Sequence, residues 1–176
     1  MALEIRPAEA RDIPATAAIY GEAVRTMTAS FETEPPGVAE MTRRFEARAD
    51  GGHPCFVAEV DGAVVGYAET RPYHHRQGYR FTAEDSIFLA PEARGQGIGT
   101  ALLRTLIGEA EARGFRQLVA VIGDPDRTGS IGLHRKAGFE QVGRTTAVGV
   151  KFGRWIDVVT MQRALGEGDA TLPPGV

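Results

Sequence analysis

The segment Arg94–Gly99, with the sequence RGQGIG, carries three glycines at alternate positions. Glycine lets the backbone approach a ligand closely and adopt φ values that other residues avoid. Apolar residues recur at helical spacing directly after it, so a helix is predicted to begin where the loop ends. Such a loop presents unpaired N–H groups and the positive end of the helix dipole, which favour an anion such as phosphate. The alternative is a glycine-rich turn that binds no ligand.

Two neighbouring carboxylates, Glu84 and Asp85, lie upstream of this loop. They fall near the start of a run, Thr82 to Leu89, whose β-branched and aromatic residues predict a strand. Because successive side chains of a strand point to opposite faces, only Glu84 shares a face with Ser86 and Phe88. Glu84 is therefore the candidate for proton transfer, with a salt-bridged edge carboxylate as the alternative. Asp85 is interpreted as structural.

The elements that must position these residues follow from periodicity and from glycine and proline signals. The predicted order is β-α-α-β-β-β-α-β-α-β-β, in one α/β domain with a mixed sheet that spans residues 1–165. The strands on either side of the third helix should be parallel neighbours with a right-handed crossover, and the hairpins should be antiparallel. We expect strands at Leu3–Arg6, Cys55–Val60, Ala63–Glu69, Thr82–Leu89, Gln117–Ile122, Phe139–Thr146 and Ile156–Gln162. Residues 166–176 are polar and proline-containing, and we expect a disordered tail.

Composition limits the classes of function. The chain has 176 residues, 43% apolar and 24% charged, with a net charge of −3, so neither nucleic acid nor an acidic membrane is indicated as a partner. No apolar run approaches the length of a membrane span, and the N-terminus lacks the apolar core of a signal peptide. The single cysteine, Cys55, excludes an internal disulfide. A cytoplasmic enzyme fits these observations.

Strand, proline, short acidic segment, Arg-Gly-x-Gly-x-Gly and amphipathic helix together resemble the acetyl-CoA pyrophosphate loop of the GNAT superfamily of N-acetyltransferases. A closer similarity runs from Ile5 to Arg163, through TASFETEPP, YRFTAEDSIFLAPEARGQGIG, VAVIGD, SIGLHRKAGF and VGVKFGRWIDV. These segments resemble the phosphinothricin and methionine sulfoximine N-acetyltransferases. The resemblance implies the GNAT fold, a homodimer, and acetyl transfer from acetyl-CoA to the amino group of a small glutamine-like amino acid.

The resemblance also implies a coenzyme site along the central strand and the glycine loop. One position departs from the family pattern, because Arg127 stands where relatives usually carry an Asn near the pantetheine arm. Its cation could instead meet a coenzyme phosphate. The expected coenzyme-binding residues are Ile87, Phe88, Leu89, Arg94, Gly95, Gln96, Gly97, Ile98, Gly99 and Arg127.

For catalysis, the resemblance places a glutamate base at Glu84, acting directly or through water. It also implies that a backbone N–H near Leu89 stabilises the oxyanion. Many acetyltransferases carry a Tyr five residues before the Phe of a Gly-Phe ending, and here that position is His134. A histidine can protonate the leaving thiolate. The alternative for His134 is a histidine on a helix face, bonded to backbone.

For the acceptor, the basic and aromatic connection RPYHHRQGYR, residues 71–80, is expected to bind a carboxylate through an arginine fork. Arg76 is the first choice, because it lies in the connection to the catalytic strand. No Cys, Asp or Glu stands at ligand spacing beside the adjacent histidines, so no metal site is predicted. Trp155 could equally be a packing anchor under its hairpin. The expected substrate-binding residues are Phe31, Glu32, Tyr73, His74, Arg76, Arg80, Lys151 and Trp155.

Two other functions stay open from the sequence. One keeps acetyl-CoA but has a protein N-terminus or a lysine as acceptor, and such enzymes usually need an open groove. The other is a module that binds acetyl-CoA without catalysis. The long TASFETEPP loop and the VGVKFGRW hairpin predict a covered pocket, which argues against the first, and Glu84 together with His134 argues against the second.

Overall fold

The computed structural model describes residues 2–176, and of Arg127 the backbone alone. Its helices and strands follow the predicted order. The strands are β1 Leu3–Pro7, β2 Cys55–Val60, β3 Ala63–Pro72, β4 Thr82–Leu89, β5 Gln117–Gly123, β6 Glu140–Lys151 and β7 Arg154–Ala164. The α-helices are α1 Ile13–Thr26, α2 Val38–Asp50, α3 Ile98–Ala112 and α4 Ser130–Lys136. None of these helices is long and apolar enough to cross a bilayer.

The strands form one mixed sheet in the order β1-β2-β3-β4-β5-β7-β6. Only β4 and β5 are parallel, as expected for strands joined by the α3 crossover. Helices α1 and α2 cover one face of the sheet, where Tyr20 and Met41 join Tyr67 in the core. Helices α3 and α4 cover the other face. The sheet therefore separates two apolar layers, and β4 lies at its centre.

Helix α3 fixes the glycine loop in place because its inner face is fully buried. Leu102, Leu103 and Leu106 each have 0% exposure. Truncating one such leucine to alanine typically costs about 2–5 kcal/mol. The N-terminus of α3 is thus held rigidly against the sheet, beside the end of β4.

The pairing between β4 and β5 ends before either strand does. It runs from Thr82 opposite Gln117 to Asp85 opposite Ala120. Beyond that point β4 stays paired only with β3, and β5 only with β7. The two parallel strands therefore diverge and leave an opening in the middle of the sheet.

The largest departures from the predicted boundaries are in β3, in the β6–β7 hairpin and after β7. Strand β3 extends to Pro72, because residues 70–72 continue the ladder opposite β4. Strands β6 and β7 extend until Lys151 faces Arg154, so the hairpin tip is two residues, 152 and 153, both with positive φ. The segment 166–171, expected to be disordered, forms turns in which Arg116 donates to the Gly168 carbonyl at 3.2 Å.

Candidate active site

The glycine loop has the backbone geometry that its sequence predicts. Gly95 and Gly97 have φ values of +75° and +82°, and Gly97 is the N-cap of α3. A Cβ added at either position would meet nothing within 4 Å. Glycine is needed here for its conformation, and the space above the loop is open to a ligand. The first N–H groups of α3 have no partner within the helix, so they face this space as donors.

Arg94, at the start of the loop, folds back onto the end of β4. Its Nη2 and Nε donate to the Leu89 carbonyl at 3.1 Å and 3.3 Å. Because Ala90 N–H donates to Val65 in β3, alternation turns the N–H of Leu89 to the other side, towards the opening between β4 and β5. The Leu89 N–H is therefore a donor that faces this opening.

A small cavity of about 50 Å³ fills the opening between the strands. Strands β4 and β5 form two of its walls, and α4 with the loop before it forms a third. It could hold only a small group, such as the acetyl thioester end of a longer ligand. Its lining residues are Ala29, Asp85, Ser86, Ile87, Phe88, Ala120, Val121, Ile122, Gly123, Thr128, Ser130 and His134.

His134 and Asp85 form a buried pair at the wall of this cavity. His134 Nε2 lies 2.8 Å from Asp85 Oδ2, and the two residues are 3% and 5% exposed. His134 Nδ1 donates to the Ser130 carbonyl at 2.7 Å. Burial lowers the pKa of His134, but the hydrogen bond and charge of Asp85, together with the Ser130 carbonyl, outweigh it, so the pKa is raised.

A larger cavity of about 750 Å³ lies on the opposite face of β4, under α1 and α2. Its floor is a ladder of cross-strand pairs between β3 and β4, with Tyr67 opposite Phe88 and Glu69 opposite Ser86. The next pair, Arg71 and Glu84, is joined by a close ion pair. Ser86 and Phe88 line both cavities, so the two spaces meet at β4.

The roof of the larger cavity is charged. Arg48 of α2 pairs with Glu69 at 2.5 Å, and Arg44 pairs with Glu32 at 2.8 Å. Burial raises the pKa of the Glu69 carboxyl, although Arg48 acts against it. Tyr20 donates to Glu32 at 2.9 Å. Phe31 and Glu32, both predicted to bind substrate, do line this cavity.

The loop that carries Phe31 and Glu32 is anchored to the β6–β7 hairpin. Lys151, only 5% exposed, donates to the Met27 and Ser30 carbonyls at 2.8 Å and 2.7 Å. A Cβ at Gly149 would lie 2.7 Å from the Phe31 ring, so glycine permits this contact. Lys151 therefore supports the wall of the cavity from behind and is absent from its lining.

The other predicted substrate residues lie away from the larger cavity. Because β3 extends to Pro72, the connection begins only at Tyr73, and the chain leaves the cavity there. Tyr73, His74 and Tyr79 pack edge to face or tilted against one another in this exposed segment, with ring centroids 4.9–5.7 Å apart. Arg76 and Arg80 are exposed in it, and Trp155 is 67% exposed on β7. Their contact with substrate stays a prediction. The contact of Arg127 with the coenzyme also stays a prediction, because its side chain lies outside the described structure.

Sequence reasoning missed the residues that complete the site. Arg71 lies inside β3 and lines the larger cavity, as do Arg44, Arg48 and Glu69. A longer β3 would have placed Arg71 opposite Glu84, and that is the signal that could have found it. Asp85 does lie on the opposite face from Glu84, as alternation predicts, but its partner His134 could not be read from the sequence. Among residues 2–176, no cluster of His, Cys, Asp or Glu is arranged to hold a metal ion.

The fold agrees with comparisons to known proteins. The model of the acetyltransferase (GNAT) family matches residues 17–139, and the chain belongs to this family. The predicted family and the predicted fold class, a GNAT fold with a mixed sheet, are confirmed.

Individual relatives and solved structures are also similar to this chain over nearly its whole length. A phosphinothricin N-acetyltransferase from Alcaligenes faecalis is 51% identical over 172 residues, which cover 98% of this chain and 87% of the relative. An L-methionine sulfoximine/L-methionine sulfone acetyltransferase from Pseudomonas paraeruginosa is 41% identical over 163 residues, covering 92% and 94%. The solved structure of a GNAT superfamily phosphinothricin acetyltransferase from Sinorhizobium meliloti, in complex with AcCoA, matches with a TM-score of 0.96 and 49% identity, covering 100% and 96%.

Proposed function

We propose that this protein is an N-acetyltransferase that moves the acetyl group of acetyl-CoA to the amino group of a small glutamine-like amino acid. Phosphinothricin, methionine sulfoximine or a related compound is the acceptor, by analogy with the relatives that carry those names. With phosphinothricin as acceptor, the activity would confer resistance to that herbicide. The transfer is direct, through a complex that holds both substrates.

One observation carries this proposal: two cavities on opposite faces of β4 meet at Ser86 and Phe88. The glycine loop and the opening between β4 and β5 suit the pyrophosphate and the thioester of acetyl-CoA. The larger cavity, enclosed by α1, α2 and the loop with Phe31, suits a small acceptor better than a protein chain. An amine entering from this side would reach the thioester across β4.

We place the acceptor's carboxylate against Arg71. Its side chain is 58% exposed although it lines the larger cavity, as expected for a group that opens onto the space. It donates to Glu84 through Nη2, and a guanidinium carries five N–H donors, so others remain for a second carboxylate. Arg44 and Arg48 are paired with glutamates as well, but their side chains are only 36% and 9% exposed, so Arg71 is the most accessible of the three to an anion.

Attack on the thioester requires a neutral amine. A free α-amine has a pKa of about 8, so much of it is protonated near neutral pH and a base helps. Glu84 is proposed as the base, directly or through water, because it lies on the face of β4 that carries the larger cavity. The Leu89 N–H is proposed as the oxyanion donor. No metal is required for any of these steps.

A homodimer in the cytoplasm is also proposed. The exposed β6–β7 hairpin supports a dimer, since Val142, Val148, Val150, Phe152 and Trp155 are 54–67% exposed along it. Sedimentation of the purified protein tests this, and a monomer at micromolar concentration would contradict it.

Thiol release from acetyl-CoA, measured with different acceptors, tests the proposed function. We expect rapid release with methionine sulfoximine or phosphinothricin, and N-acetylated product in equal amount. The controls are a peptide with a free N-terminus, an amine that lacks the carboxylate, and no acceptor. Release with the peptide alone would make the protein a peptide acetyltransferase. Acetyl-CoA binding without release would make it a binding module.

A further inference from the structure

Three polar side chains form a continuous chain on the face of β4 that carries the small cavity. Asp85 Oδ2 lies 2.8 Å from His134 Nε2, and His134 Nδ1 lies 3.2 Å from Ser130 Oγ. All three residues line the small cavity. They come from β4 and from two successive turns of α4, because residues four apart share a helix face.

The hydrogen bonds fix where the protons are. A backbone carbonyl only accepts, so the 2.7 Å contact to the Ser130 carbonyl requires a hydrogen on His134 Nδ1. A second proton lies between Nε2 and the Asp85 carboxylate. The ring is therefore held in one orientation, with acceptors on both nitrogens, which is the arrangement that stabilises an imidazolium.

The buried surroundings of His134 strengthen the electrostatic effect of Asp85 on its ring. The side chains of His134 and Asp85 are 4% and 1% exposed, so little water screens their interaction. The other groups packed on the ring are uncharged, namely Ser130 from α4 and the Phe139 ring, whose centroid is 5.0 Å away. Among the groups that shift the pKa of His134, Asp85 is the one that carries a charge.

One oxygen of Asp85 shows that this carboxylate is not placed for packing. Among the described residues, Asp85 Oδ1 is the buried side-chain atom without a hydrogen-bond partner. Leaving a buried acceptor unpaired typically costs about 1–3 kcal/mol. Apolar residues in place of both Asp85 and His134 would avoid that cost, so this buried pair calls for a use beyond holding the fold together.

We propose that Asp85 is a positioning residue for acetyl transfer: it holds His134 as an oriented imidazolium, from which the leaving thiolate takes its proton through the Ser130 hydroxyl. This rests on the proposed function. When the tetrahedral intermediate collapses, the C–S bond breaks and its electron pair stays on sulfur. The sulfur takes the Ser130 hydroxyl proton, and the Ser130 oxygen takes the proton from Nδ1. The amine's own proton leaves by way of the base, and His134 is recharged from solvent.

The first test measures the protonation of His134 by NMR in the free enzyme, without any substrate. His134→Gln identifies its signals among the four histidines. We expect the ring to titrate above the ordinary value of about 6.5. Asp85→Asn, which keeps the shape, should lower that pKa, because it removes the negative charge that stabilises the imidazolium. Ser130→Ala should leave it near the original value. Titration below 6.5 in the unmodified protein would overturn the proposal even if Asp85→Asn does not fold.

The second test asks whether this protonation controls the rate. An acid must carry its proton, so kcat should fall as the pH rises through the pKa of His134. Asp85→Asn should move this alkaline limb down by the same interval as the NMR titration, with the KM for acetyl-CoA little changed. Asp85→Glu should restore part of the shift. If Asp85→Asn moves the His134 pKa measured by NMR but leaves the alkaline limb of the kcat–pH profile in place, the Asp85–His134 pair has only a structural role.

The two tests also separate this inference from the proposed function. If the unmodified enzyme transfers no acetyl group to any amino acid, the proposed function fails while the NMR result still reports on the pair. If transfer is rapid but Asp85→Asn does not move the alkaline limb of the kcat–pH profile, the proposed function stands and the role of Asp85 is refuted.

Discussion

The two faces of β4 offer different kinds of group to a ligand. On the face towards α3 and α4, the groups available to a ligand are mostly backbone N–H donors, from the glycine loop and from Leu89, with one buried side-chain pair behind them. On the face towards α1 and α2, they are side chains of opposite charge, such as Arg71 with Glu84 and Arg48 with Glu69. Backbone donors fit a ligand that is the same for every family member, whereas charged side chains can be exchanged to suit a particular acceptor.

The largest expected effect tests the backbone side. Gly97→Asp places a carboxylate and a Cβ where a phosphate needs a bare amide, in a residue with φ of +82°. We expect acetyl-CoA affinity to fall more than about 100-fold, or ~2.7 kcal/mol, with the fold retained. Gly62→Asp is the matched control, since it has a φ of +86° and open space in the β2–β3 turn. If calorimetry shows equal affinity for acetyl-CoA in both variants, the coenzyme does not bind at the glycine loop.

The next effect concerns the base on the side-chain face. Glu84→Gln keeps the shape but removes the basicity, so the rate at neutral pH should fall by up to about 100-fold. Higher pH should restore part of it, because the amine then loses its proton unaided. Glu69→Gln, on the neighbouring rung of the ladder, is the control. A pH–rate profile altered by Glu69→Gln but not by Glu84→Gln would assign the base to Glu69.

Arg71 should have a smaller effect, confined to the acceptor. Arg71→Ala should raise the KM for methionine sulfoximine at least tenfold, about 1.4 kcal/mol, and leave the KM for acetyl-CoA unchanged. An acceptor without a carboxylate should be poor with either enzyme. Arg76→Ala, in the exposed connection, is the control and should change little. If Arg76→Ala raises the KM for methionine sulfoximine and Arg71→Ala does not, Arg76 is the carboxylate ligand.

The smallest kinetic effect should come from the anchor behind the larger cavity. Lys151→Met keeps the length of the stem but leaves the Met27 and Ser30 carbonyls without their donor. We expect the free energy of unfolding to fall by about 1–3 kcal/mol. The loop with Phe31 and Glu32 should loosen, which raises the acceptor KM several-fold. Denaturant unfolding that matches the unmodified protein would show that Lys151 does not hold the loop.

The same contrast explains how much the sequence could predict. The glycine loop, α3 and the alternation of Glu84 and Asp85 are local features, and each was predicted from neighbouring residues. Strand β3 was predicted three residues too short, because residues 70–72 are polar and end in proline. With β3 at its observed length, Arg71 lies opposite Glu84, and we propose it in place of Arg76 as the carboxylate ligand.

The contacts that complete the site join residues far apart in the chain. His134 reaches Asp85 across 49 residues, and Lys151 reaches Met27 across 124. No spacing rule within one segment reports such a pairing. Lys151 was predicted at the substrate site on family resemblance, and the structure places it behind the loop that lines the larger cavity.

Initial rates with both substrates varied test the central claim most directly, which is that the two cavities meet at β4 and let the amine attack the thioester without an acetyl-enzyme. Direct transfer requires both substrates to be bound together. We predict double-reciprocal lines that intersect when acetyl-CoA is varied at several fixed concentrations of methionine sulfoximine. Parallel lines, the pattern of a covalent acetyl-enzyme, would contradict this account.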